Sequence, residues 1–408
     1  MNIWLVKSHE PIWEYDKEES LGRMGKLTKA LVGANHDVSL FTSSFDHTKK
    51  KYKVDKTCSI NIKDNYQVNF IHSNSYQKNI SLQRLMSSYK ESRNFKKIIS
   101  DRIPPDVIFC AYPTIDLAYE AVKYAKKNNV KVIIDIRDFW PDIFVDRLHG
   151  IKKALIYPYY LFSNRRAKNI FNEITYLTGV TGKAVEWGAY KRSSKTSEPI
   201  TQPFYIGCET KDALEINTYR RNCNHPEKYL TFIGSLGNSF NYPLIKKIAI
   251  ELKGLMTIRI AGDGPQFDTV KDMMKNVENV EFMGWCNNQQ MSQLLIESFA
   301  VLAPYNDSFD FNMGVGNKFC QGTSYSLPMI VTCKGVMNEL IHNYDCGLCS
   351  DNEQDIKAYL ENLLNDRSEY IRVCNNSFEI YKELFDADNI YKDIVSFIEK
   401  TEEETKDE

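Results

Sequence analysis

Short runs of apolar residues alternate with amphipathic helical segments along most of this 408-residue chain. In residues 22–34, for example, Met24, Leu27 and Leu31 are spaced to share one helical face. Continuous apolar strands joined by helices are typical of parallel sheets that are covered on both faces. The pattern predicts an α/β protein with two doubly wound, Rossmann-like domains and a helical C-terminus. The strand-like runs are NIWLVK, HDVSLFTS, QVNFIHS, DVIFCAYP and VKVIIDIRD in the first half, and YLTFIGS, MTIRIA, VEFMGW, SFAVLAPY and PMIVTC in the second.

The composition changes in residues 190–206, where the sequence KRSSKTSEPITQPF is polar and contains proline, as is typical of a linker. We therefore predict a first domain over residues 1–205 and a second domain over 206–385. A C-terminal helix with an acidic tail would follow over 386–408. Open α/β sheets bind ligands beyond the carboxyl ends of their strands, so we expect a cleft lined by the carboxyl ends of both sheets.

Composition excludes several classes of protein. Apolar residues make up 43% of the chain and charged residues 26%, and the net charge is −1, so no overall positive field would attract nucleic acid. The N-terminal apolar run is too short for a signal peptide, and no run approaches the roughly 18 apolar residues of a membrane span. The ten cysteines, many within apolar runs, are expected to be reduced. Cys346 and Cys349 form a C-x-x-C without the second pair or nearby histidine of a zinc site, so we expect no metal. We also expect a cytoplasmic protein without a cofactor.

Three loops of the second half contain the residue types that bind phosphate. Glycines at the end of a strand allow main-chain N–H groups to approach an anion, and a following helix N-terminus favours its charge. For the first loop alone, an ordinary tight turn is the more common explanation, and in the second loop Asp263 could simply bond to its own backbone. Lys318, at the start of the third segment's helix, would add a positive charge or would be a plain surface lysine. The candidates are Gly234, Gly237 and Asn238 in the first loop, Gly262, Asp263 and Gly264 in the second, and Gly314, Val315, Gly316, Asn317 and Lys318 in the third.

The order of these motifs, IGSLG, IAGDGP, VEFMGW, LAPY, GNKF and SLPMIV, resembles the donor domain of glycosyltransferase family 4. This resemblance implies the GT-B fold, a nucleotide-sugar donor and transfer with retention of anomeric configuration. The segments GRMGKLTKALVGANHDVSLFTSSFDH, HSNSYQKNISLQR and DIRDFWPDIF resemble the subgroup that builds bacterial O-antigen and capsule. Its members include N-acetyl-L-fucosamine transferases, which implies a lipid-linked saccharide acceptor for the first domain. The resemblance adds Trp285, Asp310 and Asn312 to the donor-binding candidates.

The chain departs from the family pattern at two positions. Two glutamates eight residues apart in that pattern correspond here to Met313 and Gln321. The first is implied to contact the transferred sugar, and the second to accept hydrogen bonds from the ribose. An amide can still accept a bond from a hydroxyl but without the strength of a charge-assisted bond, so Gln321 remains a donor-binding candidate. The glycines and Lys318 favour a working variant of the site.

Catalysis in such a family requires positive groups at the leaving diphosphate, and Lys318 is our first candidate. Arg23 is a second candidate, with a solvated helix cation as the alternative. Asp138 follows a buried strand and could orient an acceptor or sugar hydroxyl, or it could pair with neighbouring loops together with Arg137.

Residues 147–172 contain six Lys or Arg and no Asp or Glu, interleaved with Tyr157, Tyr159, Tyr160 and Phe162. Such a segment could attach the protein peripherally to the anionic inner face of the cytoplasmic membrane. The alternative is a helix whose aromatic residues pack on its own domain. Two other functions stay open. One is a catalytically silent sugar-nucleotide-binding scaffold, and the other is a GT-B sugar-nucleotide epimerase, which would need a cluster of carboxylates and histidines.

Overall fold

The structure is a computed structural model that describes residues 1–17, 19–78, 81–146, 148, 150–193, 198–222 and 228–403. Arg147, residues 194–197 of the predicted linker and residues 404–408 of the acidic tail lie outside this range. The chain divides into two compact units. The first contains Met1–Phe204 together with the C-terminal residues from Asn389, and the second contains Tyr205–Asp388. The boundaries predicted from the sequence lie after residues 205 and 385.

The first unit is built on a mainly parallel sheet with helices between the strands. Its strands are β1 Asn2–Val6, β2 Asp37–Ser43, β3 Phe45–Asp46, β4 Lys51–Tyr52, β5 Cys58–Lys63, β6 Tyr66–Ile71, β7 Val107–Tyr112, β8 Lys131–Ile136, β9 Tyr176–Gly179 and β10 Ile200–Pro203. Its helices before residue 204 are α1 Arg23–Gly33, α2 Leu82–Ser100, α3 Ile115–Asn128, α4 Asp142–Asp146, α5 Gly150–Asn172 and α6 Gly182–Tyr190.

The main sheet of this unit has the order β10-β9-β8-β7-β1-β2-β6-β5, and β5 is antiparallel to β6. Strand β7 is buried along its whole length, as expected for an apolar run covered by helices on both faces. Ser81 begins α2 by accepting a hydrogen bond from the Arg84 N–H at 3.2 Å, and Thr181 begins α6 in the same way. The strand order changes direction between β7 and β1, so the carboxyl ends of these strands are the expected ligand-binding edge of this unit.

The second unit contains a parallel sheet in the order β13-β12-β11-β14-β15-β16. This is the strand order of dinucleotide-binding folds, with the switch point between β11 and β14. Its strands are β11 Tyr229–Ile233, β12 Thr257–Ala261, β13 Val280–Gly284, β14 Ala300–Ala303, β15 Met329–Val331 and β16 Gly347–Cys349. Its helices are α7 Ala213–Asn222, α8 Tyr242–Glu251, α9 Phe267–Met273, α10 Asn288–Glu297, α11 Phe309–Met313, α12 Asn317–Ser324, α13 Val336–Tyr344, α14 Glu353–Asn365 and α15 Arg367–Ile380, followed by a π-helical turn Tyr381–Phe385.

The C-terminal helix α16, Ala387–Glu403, packs on the first unit. The Phe397 ring lies 6.2 Å from the Tyr176 ring and 5.8 Å from the Phe204 ring, measured between centroids. Glu399 lies 3.0 Å from His36 Nε2. The chain therefore returns to its first unit after completing the second.

The interpretation of residues 190–206 as a linker was wrong at its C-terminal end. Ile200–Pro203 form β10, an exposed edge strand that pairs in parallel with β9. Polar residues and a proline are tolerated at a sheet edge, where one side of the strand has no partner, so the segment resembled a loop. Strand β9 was not predicted from the sequence, and neither was the short β16, which contains Cys349 and directly follows Cys346.

Candidate functional site

The switch point of the second unit brings two loops together. One loop follows β11 and contains Gly234, Gly237 and Asn238, and the other follows β14 and leads through α11 to Gly314 and Gly316. Strands β11 and β14 are neighbours in the sheet, and their loops leave the carboxyl edge in different directions. The gap between such loops is the usual ligand site of an open α/β sheet.

The loop after β12 is hydrogen-bonded to the loop after β11 and packs closely against it. The N–H of Leu236 donates to the Asp263 carbonyl at 2.9 Å, and a Cβ at Gly262 would lie 1.9 Å from the Gly234 carbonyl oxygen. Gly262 also has a φ of +136°, which L side chains rarely adopt. Asp263 accepts a hydrogen bond from the Gly264 N–H at 2.7 Å, so its carboxylate is used within its own turn. Gly262, Asp263 and Gly264 therefore fix the shape of the first loop.

Asn238 connects the first loop to the loop after β14. Its carbonyl accepts from Asn306 Nδ2 at 2.9 Å, and its side-chain oxygen accepts from Gln266 Nε2 at 2.9 Å. The Gly237 carbonyl accepts from the Tyr242 hydroxyl at 2.7 Å. The three loops that the sequence singled out are thus parts of one hydrogen-bonded assembly.

Lys318 lies in the first turn of α12 and extends to the loop after β11. A Cβ at Gly234 would lie only 2.6 Å from Lys318 Nζ, so a side chain at residue 234 would displace the ammonium group. The Nζ atom lies 4.6, 5.4 and 6.0 Å from the ring centroids of Phe240, Tyr305 and Phe232, within the range of cation–π contacts. Burial among these rings lowers the pKa of Lys318 to about 8. We name Phe232, Phe240 and Tyr305 the aromatic cage.

The charge environment of Lys318 favours an anionic ligand. In the part of the chain that the structure describes, no carboxylate lies within ion-pair distance of its ammonium group. The first turn of α12 contains no acidic residue, and its N-cap Gly316 supplies no side-chain cap. A helix N-terminus already has a partial positive charge, which a buried lysine adds to. The Tyr305 hydroxyl accepts a hydrogen bond from the Lys318 main-chain N–H. An anion at this position would satisfy the remaining positive charge of the ammonium group and of the helix N-terminus.

Residues 227–366, which include all the site residues of the second unit named above, match the family described as Glycosyl transferases group 1. At the level of sequence, no curated protein matches the chain. Among solved structures, sucrose-phosphate synthase from Thermosynechococcus elongatus is 11% identical, with a TM-score of 0.70 and coverage of 98% of both chains.

Two further structures are similar over nearly their whole lengths. Anabaena Alr3699/HepE in complex with UDP-glucose is 13% identical, with a TM-score of 0.61 over 98% of this chain and 100% of that one. WaaG, a glycosyltransferase involved in lipopolysaccharide biosynthesis, is 11% identical, with a TM-score of 0.60 over 98% and 99%. The chain has the GT-B glycosyltransferase fold. The fold expected from the sequence is therefore confirmed.

The remaining site candidates of the second GT-B unit differ in their positions. Gly316 packs against Tyr305, since a Cβ there would lie 2.1 Å from the Tyr305 hydroxyl. Tyr305 also stacks on Phe311, with ring centroids 4.5 Å apart. Val315 packs on the hydrophobic core, whereas Asn317 is exposed, and the extended backbone of Gly314 ends α11.

Three polar candidates flank the turn. Asp310 accepts from the Ser308 hydroxyl at 2.9 Å. Asn312 donates to Asp307 at 2.6 Å, and its own side-chain oxygen is buried without a partner among the described residues. Gln321 is partly buried one turn after Lys318, and within the described ranges its side chain makes no hydrogen bond. Asn312 and Gln321 therefore have hydrogen-bonding capacity to offer a ligand.

Trp285 is a largely exposed candidate of the second unit that lies away from the switch point. It follows β13, at the sheet edge two strands from β11, and it is 72% exposed. The aromatic cage was not predicted from the sequence, because Phe232 and Phe240 resemble ordinary core residues. Gly335, where a Cβ would lie 2.0 Å from the Asn312 carbonyl oxygen, was not predicted either.

In the first GT-B unit, Arg23 is buried in an ion pair. Its Nε and Nη2 atoms each lie 2.9 Å from an Asp135 oxygen, and Asp135 also accepts from Thr178 at 2.9 Å. The two charged side chains are 1% and 0% exposed. The alternative of a solvated helix cation is therefore wrong. Direct contact of Arg23 with a ligand would require this pair to open, and its catalytic role stays a prediction.

The Asp138 carboxylate accepts hydrogen bonds from groups within its own loop. One of its oxygens accepts from the Phe139 N–H at 2.8 Å and the other from Trp140 Nε1 at 3.1 Å. Arg137 Nη1 lies 3.1 Å from Glu10, so it pairs with a neighbouring loop as the structural alternative proposed. Within the described residues, no group of three or more His, Cys, Asp or Glu side chains is placed to bind a metal. No helix in the same residues is long and apolar enough to cross a membrane.

Proposed function

We propose that this protein transfers a sugar from a nucleotide-sugar donor to a saccharide acceptor, and that the second unit binds the donor. The observation that carries this proposal is the partly buried Lys318, whose ammonium lies in the aromatic cage at a helix N-terminus and has no carboxylate partner in the described chain. A diphosphate is the anion that satisfies both the lysine and the helix dipole. The family match over residues 227–366 and a relative solved with UDP-glucose support this assignment.

In the proposed reaction, the bond between the anomeric carbon and the diphosphate oxygen breaks, and a bond from that carbon to an acceptor hydroxyl oxygen forms. The hydroxyl proton passes to the departing diphosphate. Negative charge develops on the diphosphate as the bond breaks, and Lys318 stabilises it more strongly than in the ground state. The buried rings of the aromatic cage strengthen this interaction, because they exclude part of the water that would screen it. We propose that the sugar retains its anomeric configuration, which rests on the family resemblance.

Within the donor site, we assign Gln321 to the ribose and Met313 to the neighbourhood of the transferred sugar. A neutral amide gives a weaker bond to a ribose hydroxyl than a carboxylate does, by about 1–2 kcal/mol. The loop glycines bring main-chain groups close to the diphosphate. Asn312 has a buried oxygen that could accept a bond from a sugar hydroxyl.

We further propose a lipid-linked saccharide as the acceptor, bound by the first unit, in the assembly of a bacterial surface polysaccharide such as O-antigen or capsule. The support is the resemblance of the first half to that subgroup, together with the similarity in fold to WaaG, a glycosyltransferase involved in lipopolysaccharide biosynthesis. Peripheral membrane attachment through residues 147–172 belongs to the same proposal. The transferred sugar would be a hexose or an N-acetylhexosamine, and N-acetyl-L-fucosamine is one candidate.

A scaffold that binds the donor without turnover is the second candidate function, favoured by Met313 and Gln321 in place of two carboxylates. The test has two stages. Calorimetric titration with UDP-, GDP- and dTDP-sugars identifies the donor, and release of the nucleoside diphosphate is then measured with and without a lipid-linked acceptor extract. Acceptor-dependent release supports the transferase. Tight binding without release supports the scaffold, and binding of no sugar nucleotide would overturn both.

A further inference from the structure

Helix α2 exposes a row of large apolar side chains to solvent. Leu82, Met86 and Tyr89 are 77%, 63% and 49% exposed, and their spacing places them on one face of the helix. Leaving these groups in water forgoes the stabilisation that burial would give. This face lies outside the residues 147–172 that the proposed function assigns to the membrane.

Helix α5 exposes a second apolar row. Ile151 and Leu155 are 80% and 77% exposed, and Phe162, two turns further along the same face, is 55% exposed. Tyr159 and Tyr160 are instead partly buried, so they contribute less to this surface than the sequence suggested. Both helices pack against α3, which lies between them. The two apolar rows therefore flank α3 on one side of the first unit.

Basic residues follow the apolar row on both helices, Arg93, Lys96 and Lys97 on α2 and Arg165, Arg166 and Lys168 on α5. Between the helices lies a groove of about 530 Å³, lined by Tyr89, Ser92, Arg93, Lys96, Lys97, Ser100, Glu120 and Arg166. Lys96 lies 3.9 Å from Glu120, and Arg166 pairs with Asp116. Four cations thus face two carboxylates, so the groove is positive.

The direction of the helices orders these features. Helix α2 leads from β6 to β7 and α5 precedes β9, and these strands are parallel to one another through the sheet. Crossover helices run opposite to their parallel strands, so the N-terminal halves of α2 and α5 lie at the carboxyl edge of the sheet. The apolar rows are therefore on the ligand-binding side of the unit, and the basic groove is farther from it.

We propose that α2 and α5 form one membrane-facing surface, in which the groove binds the headgroup of an anionic phospholipid and the two apolar rows enter the bilayer interface. The inference rests on the proposed peripheral attachment and deepens it, because it adds α2 and names the lipid chemistry. A free anion would satisfy the groove but would leave the apolar rows in water. A bilayer with anionic headgroups satisfies both.

The test is sedimentation of the full chain with vesicles of phosphatidylcholine alone or of phosphatidylcholine with phosphatidylglycerol. We expect binding to the anionic vesicles only, weakened as salt rises because ions screen exposed charges. The charge variant is Arg93→Gln, Lys96→Gln, Lys97→Gln. Each cation near such a surface contributes roughly fivefold to partitioning, so this variant should lose vesicle affinity by roughly 100-fold if all three cations contact the bilayer, and by at least roughly fivefold. The variant Leu82→Ser, Met86→Ser, Tyr89→Ser should lose the binding that persists at high salt.

A matched control removes three charges from the second unit, Lys246→Gln, Lys271→Gln, Lys275→Gln, and should bind vesicles like the parent. Thermal unfolding of every variant checks that these surface changes leave the fold intact. Equal binding to neutral vesicles, or parental binding by the α2 charge variant, would overturn the proposal. Competition of vesicle binding by free glycerol phosphate at low concentration would also overturn it, since that shows a soluble-anion site.

The vesicle-binding measurement is independent of catalysis, because no sugar nucleotide is present. A chain that binds vesicles through α2 but binds no sugar nucleotide refutes the proposed donor binding and sugar transfer and leaves the membrane-facing surface in place. The variant Arg165→Gln, Lys168→Gln isolates the contribution of α5. Loss of binding in that variant alone, with the α2 variants unaffected, would leave the attachment through residues 147–172 and remove the α2 surface.

Discussion

The two units differ in how they neutralise a positive side chain in the first turn of a helix. In the first unit, Arg23 begins the helix after β1 and is paired with Asp135 at 2.9 Å. In the second unit, Lys318 lies in the first turn of a helix at the switch point and is surrounded by aromatic rings instead of carboxylates. A cation that the protein itself neutralises contributes to its structure. A cation that is buried without an internal partner costs free energy until a ligand supplies the opposite charge.

The largest effect that distinguishes these two cations should be on stability. Arg23→Met leaves Asp135 as an unpaired buried carboxylate, which should lower the free energy of unfolding by about 3–5 kcal/mol. Denaturant unfolding, followed through the first unit's tryptophans, measures it. Adding Asp135→Asn removes the stranded charge and keeps an acceptor for Thr178, so the double variant should recover part of the loss. An Arg23→Met protein as stable as the parent would show that the pair is dispensable.

For Lys318→Met we expect the opposite balance. The variant removes a buried charge from an apolar cage, so its stability should be unchanged or raised. Its kcat/KM should fall by roughly 150-fold, which corresponds to about 3 kcal/mol of lost transition-state stabilisation. Lys334→Met, an exposed lysine of the same unit, is the matched control. Near-parental turnover in the Lys318→Met variant would remove this lysine from the mechanism.

The sequence predicted the two sheets well because buried parallel strands are continuous apolar runs that can be recognised without knowing their partners. It also predicted the phosphate-type loops, since glycines at strand ends are local signals. The pairing of Arg23 with Asp135 spans 112 residues, so only the fold could show it. A carboxylate inside the apolar run VIIDI was a usable signal, because a buried Asp needs a partner. The aromatic cage gave no comparable signal.

A smaller effect that distinguishes the two cations should appear in the pH dependence of donor binding, to which Lys318 should contribute and Arg23 should not. Burial lowers the pKa of Lys318 to about 8 from its usual 10.5. In the free protein the ammonium therefore loses its proton as pH rises through about 8, and donor affinity should decline there. Below this pH the lysine is charged and affinity should be constant. For stability the sign is reversed, because the folded chain releases this proton more readily than the unfolded chain, so stability rises between about pH 8 and 10.5.

Calorimetric donor titrations between pH 6.5 and 9.5 would test this dependence. Lys318→Arg, which keeps its charge throughout, should abolish the decline, and Phe240→Leu should move its midpoint upward by opening the cage to water. Arg23→Lys should leave the midpoint unchanged, since that residue lies in the other unit's ion pair. A decline with the same midpoint in Lys318→Arg would assign the titration to a different group.

The smallest expected effect concerns Gln321, which lies one helical turn after Lys318 and makes no side-chain hydrogen bond within the described chain. If it contacts the ribose, Gln321→Glu should tighten donor binding by up to about 1–2 kcal/mol, because a carboxylate accepts hydroxyl hydrogen bonds more strongly than an amide. The gain is limited, since a second negative charge near the diphosphate opposes binding and Lys318 offsets only part of it. Affinity for a deoxyribose donor measures the ribose contribution directly: the substitution should help the ribonucleotide more than the 2′-deoxy form. A large loss of affinity for both donors would place Gln321 at another contact, whereas Lys318 would keep its assignment, because that assignment depends on its burial and its place at the helix start.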